Sequence, residues 1–374
     1  MVILAILLLA SLGYYLWFLL SVWRGLKRQG SPHRVDGSGS VSVVVAARNE
    51  EGTITRCLQS LLGQTYPADA YEIIVVDDHS TDRTAAIVTE MAAAAPPMPI
   101  ILLSLGERSA SSGKPSAIAQ GVRQARGEVI LCTDADCVLP RGWIRSMAGQ
   151  FGPGVAFVAG PVLEAPVGSF LSRIQGLEFL GLITTAAGLI GAQKPIICNG
   201  ANIAYRKSAF EAVDGYGDGH GSCDDETLMQ RIAMREVGSI SFNKDPEAVV
   251  LTSTPRSIRE FWRQRTRWAA KRGRYESKAI LARLLLLYSF FPIVVVAAIA
   301  AVFEPWIAIV VIASFLVKAC ADYVVLREGA RMLRQAVPLG QFLVAELLHV
   351  PYIACAGLIG QFGSIRWKER NLQT

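Results

Sequence analysis

Apolar residues are gathered into blocks in this chain. Residues 1–22 carry no charged side chain, residues 281–326 form a sparsely charged double run broken at Glu304-Pro305, and a further apolar stretch covers 341–363. Runs of about 20 apolar residues match the hydrocarbon thickness of a bilayer. The pattern therefore predicts a transmembrane anchor at 1–23 and a C-terminal membrane region at 279–374 with two or three spans. Between them the period changes. β-Branched and apolar runs at 41–45, 71–76, 99–104 and 128–133 predict buried strands, and helical spacing at 52–64 and 82–95 places helices between them. Ser80 or Thr81 is the predicted cap of the second of these helices. Strands alternating with helices predict an α/β domain over 41–278, Rossmann-like, with a mostly parallel sheet. Residues 24–40, first basic and then rich in Gly and Ser, read as the linker that precedes it. Residues 168–192 are apolar but include Arg173, Gln175 and Glu178, the pattern of an amphipathic helix lying at a membrane surface.

Charge orients these blocks. No basic residue precedes the 1–22 run, whereas Arg24, Lys27, Arg28 and Arg34 follow it. That is a retained anchor with its downstream side in the cytoplasm, not a cleaved leader, which begins basic. The expectation is an integral protein of a bacterial inner membrane with its middle domain cytoplasmic. Much of the net charge of +6 comes from 256–278, where nine basic residues face only Glu260 and Glu276. A span follows at once, so this segment reads as a flank attracted to anionic lipid, and nucleic acid is excluded as a partner. The seven cysteines form no CxxC pair, and the four histidines show no ligand spacing. A zinc site and a disulfide framework are both excluded, and a reducing compartment fits.

Polar residues recur just beyond the predicted strands: Asn49 and Glu50, then Asp77 and Asp78, then Asp134 and Asp136. Ligands of open α/β sheets bind at the carboxyl ends of strands, so the three groups are expected to share one crevice. Asp134 and Asp136 are two apart on a turn. Their mutual repulsion is relieved when a cation lies between them. Hard oxygen ligands select Mg2+ or Mn2+, which completes its coordination with water and diphosphate oxygens.

The ordered set Ala47-Arg48-Asn49-Glu50, Val76-Asp77-Asp78-His79-Ser80-Thr81-Asp82, Asp134-Ala135-Asp136, Cys223-Asp224-Asp225 and Gln264-Arg265-Thr266-Arg267-Trp268 resembles the membrane-bound family 2 glycosyltransferases. That group includes cellulose, chitin and hyaluronan synthases and ceramide glucosyltransferase, and the resemblance covers about residues 41–275. It implies a GT-A type nucleotide-sugar domain and inversion at the anomeric carbon. By position it implies that Asp77 and Asp78 contact the nucleoside of a UDP- or GDP-sugar, with Asn49 and Glu50 bordering that pocket. Lys114, in Ser112-Gly113-Lys114-Pro115, would lie near the donor phosphates, and Asp134 and Asp136 would meet the diphosphate and the Mg2+ or Mn2+. Asp225 matches the general base, in a register set by Leu228 and Arg231. Asp224, Gln264, Arg267 and Trp268 would border the acceptor and the diphosphate, Trp268 offering an apolar face to a sugar or lipid head. His79 stands where the family often has Gly, and Asp224 where it has Glu. The loop Cys198-Asn199-Gly200-Ala201-Asn202 is expected to border the acceptor.

An inverting transfer needs a base near the acceptor hydroxyl, on the face opposite the leaving diphosphate. Three or four spans are few for a secretion pore in one subunit. The expected function is therefore metal-dependent transfer of a sugar to a lipid or lipid-linked acceptor at the membrane surface. A processive polysaccharide synthase subunit, working as an oligomer or with a separate pore, is the alternative within enzymes. An inactive nucleotide-sugar-binding membrane subunit is the alternative outside them.

Overall fold

The computed structural model describes all residues except 29–38, 96–98, 107–112, 166–167, 218–223, 270–276, 363–364, 368–369 and 373–374, and the side chains of 224 and 361–374. Helix α1 (Val2–Arg28) comes first. It is followed by β1 (Val41–Ala47), α2 (Ile54–Leu62), β2 (Tyr71–Asp77), α3 (Thr84–Ala94), β3 (Ile100–Ser104), α4 (Lys114–Gln124) and β4 (Val129–Asp134). Next come α5 (Trp143–Ala148), β5 (Val155–Ala159), β6 (Val162–Glu164), α6 (Phe170–Gly191), β7 (Ile203–Arg206), α7 (Lys207–Ala212), α8 (Asp224–Met234), β8 (Ser239–Phe242) and β9 (Val250–Thr252). Four more helices follow: α9 (Ile258–Ala269), α10 (Lys278–Ala300), α11 (Pro305–Met332) and α12 (Leu339–Phe362). The chain divides into two compact units. One comprises Gln29–Ala165 and Gln193–Ser253, the other Met1–Arg28, Pro166–Ala192 and Thr254–Thr374.

The first of these units is built on a seven-stranded sheet of order β3-β2-β1-β4-β7-β5-β8. Pairs β1–β2, β2–β3, β1–β4 and β5–β8 are parallel, and β7 runs antiparallel to both β4 and β5. The mostly parallel α/β sheet expected from the sequence is present. All seven residues of β2 are buried, as in a strand covered on both faces. Its one polar side chain before the carboxyl end, Glu72, accepts from Ser42 Oγ and from the Arg126 N–H, both at 2.6 Å, so the buried carboxylate is satisfied. The chain lays down β1, β2 and β3 in one direction and then returns to the other side of β1 to place β4. The strand order therefore reverses between β1 and β4, and a crevice opens at their carboxyl ends. One local expectation changes. Helix α3 begins at Thr84 rather than at 82, and the side chain that accepts from its first N–H, that of Thr84, is Asp82, at 2.9 Å, and not Ser80 or Thr81.

In the other unit, α1, α6, α10, α11 and α12 are each long and apolar enough to cross a membrane, and the protein is a membrane protein. Helix α6 packs against α1, α11 and α12. Its approach to α1 is close: a Cβ on Gly25 would stand 1.7 Å from the Gly188 carbonyl oxygen, so the two backbones meet through glycine, as small residues allow between membrane helices. A polar cluster lies inside this apolar bundle. Lys318, fully buried, donates to Asp322 Oδ2 at 2.6 Å and to Glu346 Oε1, and Tyr15 donates to Asp322 Oδ1 at 2.8 Å. Ligand atoms of Asp322, Glu346 and His349 lie within 4.8 Å of one another, a spacing a metal could use. The Lys318 ammonium is already bonded to both carboxylates, so it is the cation of this cluster. Removing one member of a buried ion group strands the others. Lys318→Met is therefore expected to destabilise the protein by about 3–5 kcal/mol. Neutralising the two carboxylates as well (Asp322→Asn, Glu346→Gln) should recover part of that loss. Thermal unfolding in detergent checks both, and a triple variant less stable than Lys318→Met would contradict the argument.

Candidate active site

The three polar groups predicted at strand ends fall in register. Ala47 pairs with Asp77, and Ala46 pairs with both Val76 and Asp134. Adjacent strands are about 4.8 Å apart, so the carboxyl ends of β2, β1 and β4 present their side chains at one level. The β1 and β2 loops are stitched together. Asn49, at φ 51°, accepts from the Thr81 N–H through Oδ1 at 2.8 Å, and its own N–H donates to Ser80 Oγ at 3.0 Å. The Glu50 N–H donates to Thr84 Oγ1 at 2.8 Å, and Thr53 donates to Glu50 Oε2 at 2.8 Å. Asn49 thus has a structural task that its motif position did not reveal. Asp78 is buried beside Arg48 and His79, with His79 Nδ1 3.0 Å from Asp78 Oδ1. Asp77 is also buried. Its Oδ2 accepts from the Ser80 N–H at 3.2 Å, and its Oδ1 has no hydrogen-bond partner among the described residues. A buried carboxylate oxygen left open in this way is suited to a donor arriving with a ligand.

Asp134 ends β4, and Lys114 Nζ, at the start of α4, lies 2.6 Å from its Oδ1. Asp136 sits on the turn beyond and accepts from Thr252 Oγ1 at 3.3 Å. Nothing in the sequence pointed to Thr252, which reaches the site through the pairing of β9 with β6 and the bridge between Leu251 and Val138. Burial and the neighbouring Asp134 and Glu50 carboxylates push Asp136 up to about 6. An all-oxygen set with surplus negative charge is what a hard divalent cation satisfies, so the residues present fit such an ion. The thiols of Cys57 and Cys137, buried under this turn, are pushed up by burial and by Asp136 and Asp134. They are poor nucleophiles there.

Asp225 joins the same place. It lies on the first turn of α8, three, four and seven residues before Leu228, Met229 and Ile232, all fully buried, so the packed face of the helix fixes its direction. A Cβ on Gly200 would stand 3.0 Å from Asp225 Oδ2 and 3.1 Å from Lys114 Nζ. The absence of a side chain at 200 is what lets the carboxylate and the lysine approach one another. Gly200→Ala is expected to displace both by a few tenths of an ångström and to lower turnover by roughly 10-fold to 100-fold while leaving the melting temperature nearly unchanged. Equal losses of activity and stability would mean that Gly200 acts on the fold instead. The side chain of Asp224, the other predicted residue here, lies outside the described side chains.

Gln264, Arg267 and Trp268 belong to the membrane-helix unit, on α9. There Arg265 is buried against Glu178 of α6. Its guanidinium lies 4.3 Å from the Trp268 ring centroid. One face of the indole that the sequence offered to a sugar or lipid is therefore covered by a neighbouring arginine.

A solved mannosyltransferase from Pyrobaculum calidifontis, in complex with GDP-Man and Mn2+, shares the fold with TM-score 0.61 and 21% identity, over 96% of this chain and 99% of that one. The fold is thus of GT-A type. Residues 42–214 match Glycosyl transferase family 2 and residues 129–320, just over half of the chain, match Glycosyl transferase family group 2. The chain belongs to the family 2 glycosyltransferases. It is 30% identical over 238 residues to a beta-monoglucosyldiacylglycerol synthase of Synechocystis sp., covering 61% of this chain and 47% of that protein. It is 29% identical over 234 residues to a poly-beta-1,6-N-acetyl-D-glucosamine synthase of Staphylococcus epidermidis, covering 61% and 53%. The chain thus spans about half the length of these curated relatives.

Proposed function

We propose that the protein transfers a sugar, with inversion, from a nucleoside-diphosphate sugar to a hydroxyl of a lipid or lipid-linked acceptor. The observation that carries the reading is the meeting of Asp225 and Lys114 at Gly200, with Asp134 on the same lysine ammonium and Asp77 with its open oxygen at the same sheet edge. Asp77 and Asp78, bordered by Asn49 and Glu50, bind the nucleoside. Asp134 and Asp136 hold Mg2+ or Mn2+, which when bound supplies positive charge to a departing diphosphate. Lys114 adds a mobile positive charge beside the same oxygens. Asp225 takes the proton of the acceptor hydroxyl. Gln264, Arg267, Trp268 and Asp224 border the acceptor and the diphosphate. The basic residues at the end of α1 (Lys27 and Arg28) favour a cytoplasmic position for the following unit, consistent with a cytosolic donor in a bacterial inner membrane.

A lipid acceptor is supported by the name of the Synechocystis relative and by the five helices, among the described residues, that are long and apolar enough to cross a membrane. The staphylococcal relative, named for a polymer, supports the second reading, a processive synthase. The test is release of free nucleoside diphosphate from UDP-glucose, UDP-N-acetylglucosamine and GDP-mannose, with diacylglycerol-containing vesicles, with and without Mn2+ or Mg2+. Metal-dependent release with a singly glycosylated lipid supports the first reading, and long polymer from one donor supports the second. No release from any donor would favour a nucleotide-sugar-binding subunit.

A further inference from the structure

Arg265 lies inside the Gln264-Arg265-Thr266-Arg267-Trp268 segment but is not one of the three residues given a role by the resemblance. The side chain is buried, and both Nε, at 3.0 Å, and Nη2 donate to Glu178 Oε2. The second oxygen of Glu178 accepts from Tyr352 Oη at 3.5 Å. Glu178 comes from α6 and Tyr352 from α12, so three helices of one unit converge on a single guanidinium. The same guanidinium then reaches two residues of its own helix. Its Nη1 donates to the Gln264 side-chain oxygen, and its plane stands over the Trp268 ring at 4.3 Å and the Phe261 ring at 4.7 Å. Phe179, one residue after Glu178, closes on Trp268 with centroids 5.9 Å apart.

The chemistry of this contact set is directional. Arginine holds a planar fork, so a carboxylate fixes its orientation, and whatever stacks on that plane is fixed with it. With the Gln264 carbonyl oxygen accepting from Arg265, its amide nitrogen is the end left to donate elsewhere. The indole of Trp268 is likewise held against the guanidinium. We propose that Arg265, clamped by Glu178 and Tyr352, is a positioning residue for the transfer: it sets the amide direction of Gln264 and the ring position of Trp268. This rests on the reading above that Gln264 and Trp268 meet the diphosphate and the acceptor.

A double-mutant cycle tests it with the full-length protein in detergent, using the donor and diacylglycerol vesicles selected by the release assay. Arg265→Lys keeps the charge but loses the fork and the stacking plane. It is expected to lower kcat by about 10-fold to 100-fold, with donor affinity measured by calorimetry unchanged. In a Gln264→Ala/Trp268→Ala background the same change should cost less than about twofold, because the groups it acts through are gone. A loss that simply multiplies with that of the background would overturn the proposal and leave Arg265 as a tie between helices. If Gln264→Ala and Trp268→Ala each leave transfer at the unmodified rate, the underlying reading fails first. Glu178→Gln, which keeps the shape and an acceptor oxygen, runs the cycle if Arg265→Lys elutes as aggregate on size exclusion. Equal multiplication there would be equally decisive against the proposal.

Discussion

Asp225→Asn is expected to lower the transfer rate by roughly 10²–10⁴-fold, the range for loss of a general base, while leaving metal-dependent donor binding intact. The separation of these two effects follows from where the residue sits. Asp225 is carried by α8, whose buried residues Leu228, Met229 and Ile232 are untouched by the change, so the helix keeps its place. The donor-side groups Asp77, Asp134 and Asp136 come from β2, β4 and the turn after it, not from α8. Asparagine keeps the size of the side chain against Gly200 and Lys114 but cannot take the proton of a hydroxyl. Steady-state rates with saturating donor, beside calorimetric titration of the donor in the presence of Mn2+, give the two quantities. Loss of donor binding in Asp225→Asn would sink its assignment as the base. Near-normal rates would do the same and would move attention to Asp224, its neighbour on the same turn.

Much of the sheet was legible because its strands are buried on both faces and therefore read as unbroken β-branched runs, as at Val43, Val44 and Val45 or Ile73, Ile74, Val75 and Val76. The polar residues that end those runs were legible for the same reason, since a change of composition marks the sheet edge. What could not be read are associations across long stretches of chain. Lys114, Gly200 and Asp225 come from separate parts of the chain, Gly200 just before β7, which returns antiparallel to β4, and no periodicity announces an antiparallel insertion into a parallel sheet. Thr252 reaches Asp136 across 116 residues. In the membrane unit, Lys318 is one charge within a long apolar helix, and its i,i+4 relation to Asp322 was a usable sign. Their partner Glu346 could be matched only once α11 and α12 were packed. Glu178 reads in the sequence as one polar position of an amphipathic helix, and its partners Arg265 and Tyr352 come from segments far along the chain.

Asp136→Asn is expected to remove metal-dependent turnover, a loss on the order of 10³-fold if the ion contributes several kcal/mol to the departing diphosphate. The unmodified residue makes a further, pH-dependent prediction. Asp136 faces Asp134 and Glu50, with Thr252 as its hydroxyl donor and Lys114 engaged by Asp134. Crowded carboxylates and burial raise it from the usual 3.8 to about 6 in the metal-free protein. A group whose folded value lies above its unfolded one stabilises the fold at low pH and ceases to do so as pH rises through the folded value. The melting temperature of the metal-free protein should therefore contain a component that falls between about pH 4 and pH 6. Metal binding reverses the sign, because the ion takes the ionised carboxylate and displaces the proton. Mn2+ affinity should drop by about tenfold per unit as pH falls below 6 and level off above it, and added Mn2+ should raise the melting temperature more at pH 7 than at pH 5. In Asp136→Asn both trends should vanish together, since the proton that couples them has no site. A Mn2+ affinity that is flat from pH 5 to pH 7 in the unmodified protein would show that the ion does not engage Asp136. The metal would then have to be held by Asp134 alone, with Lys114 drawn away from it.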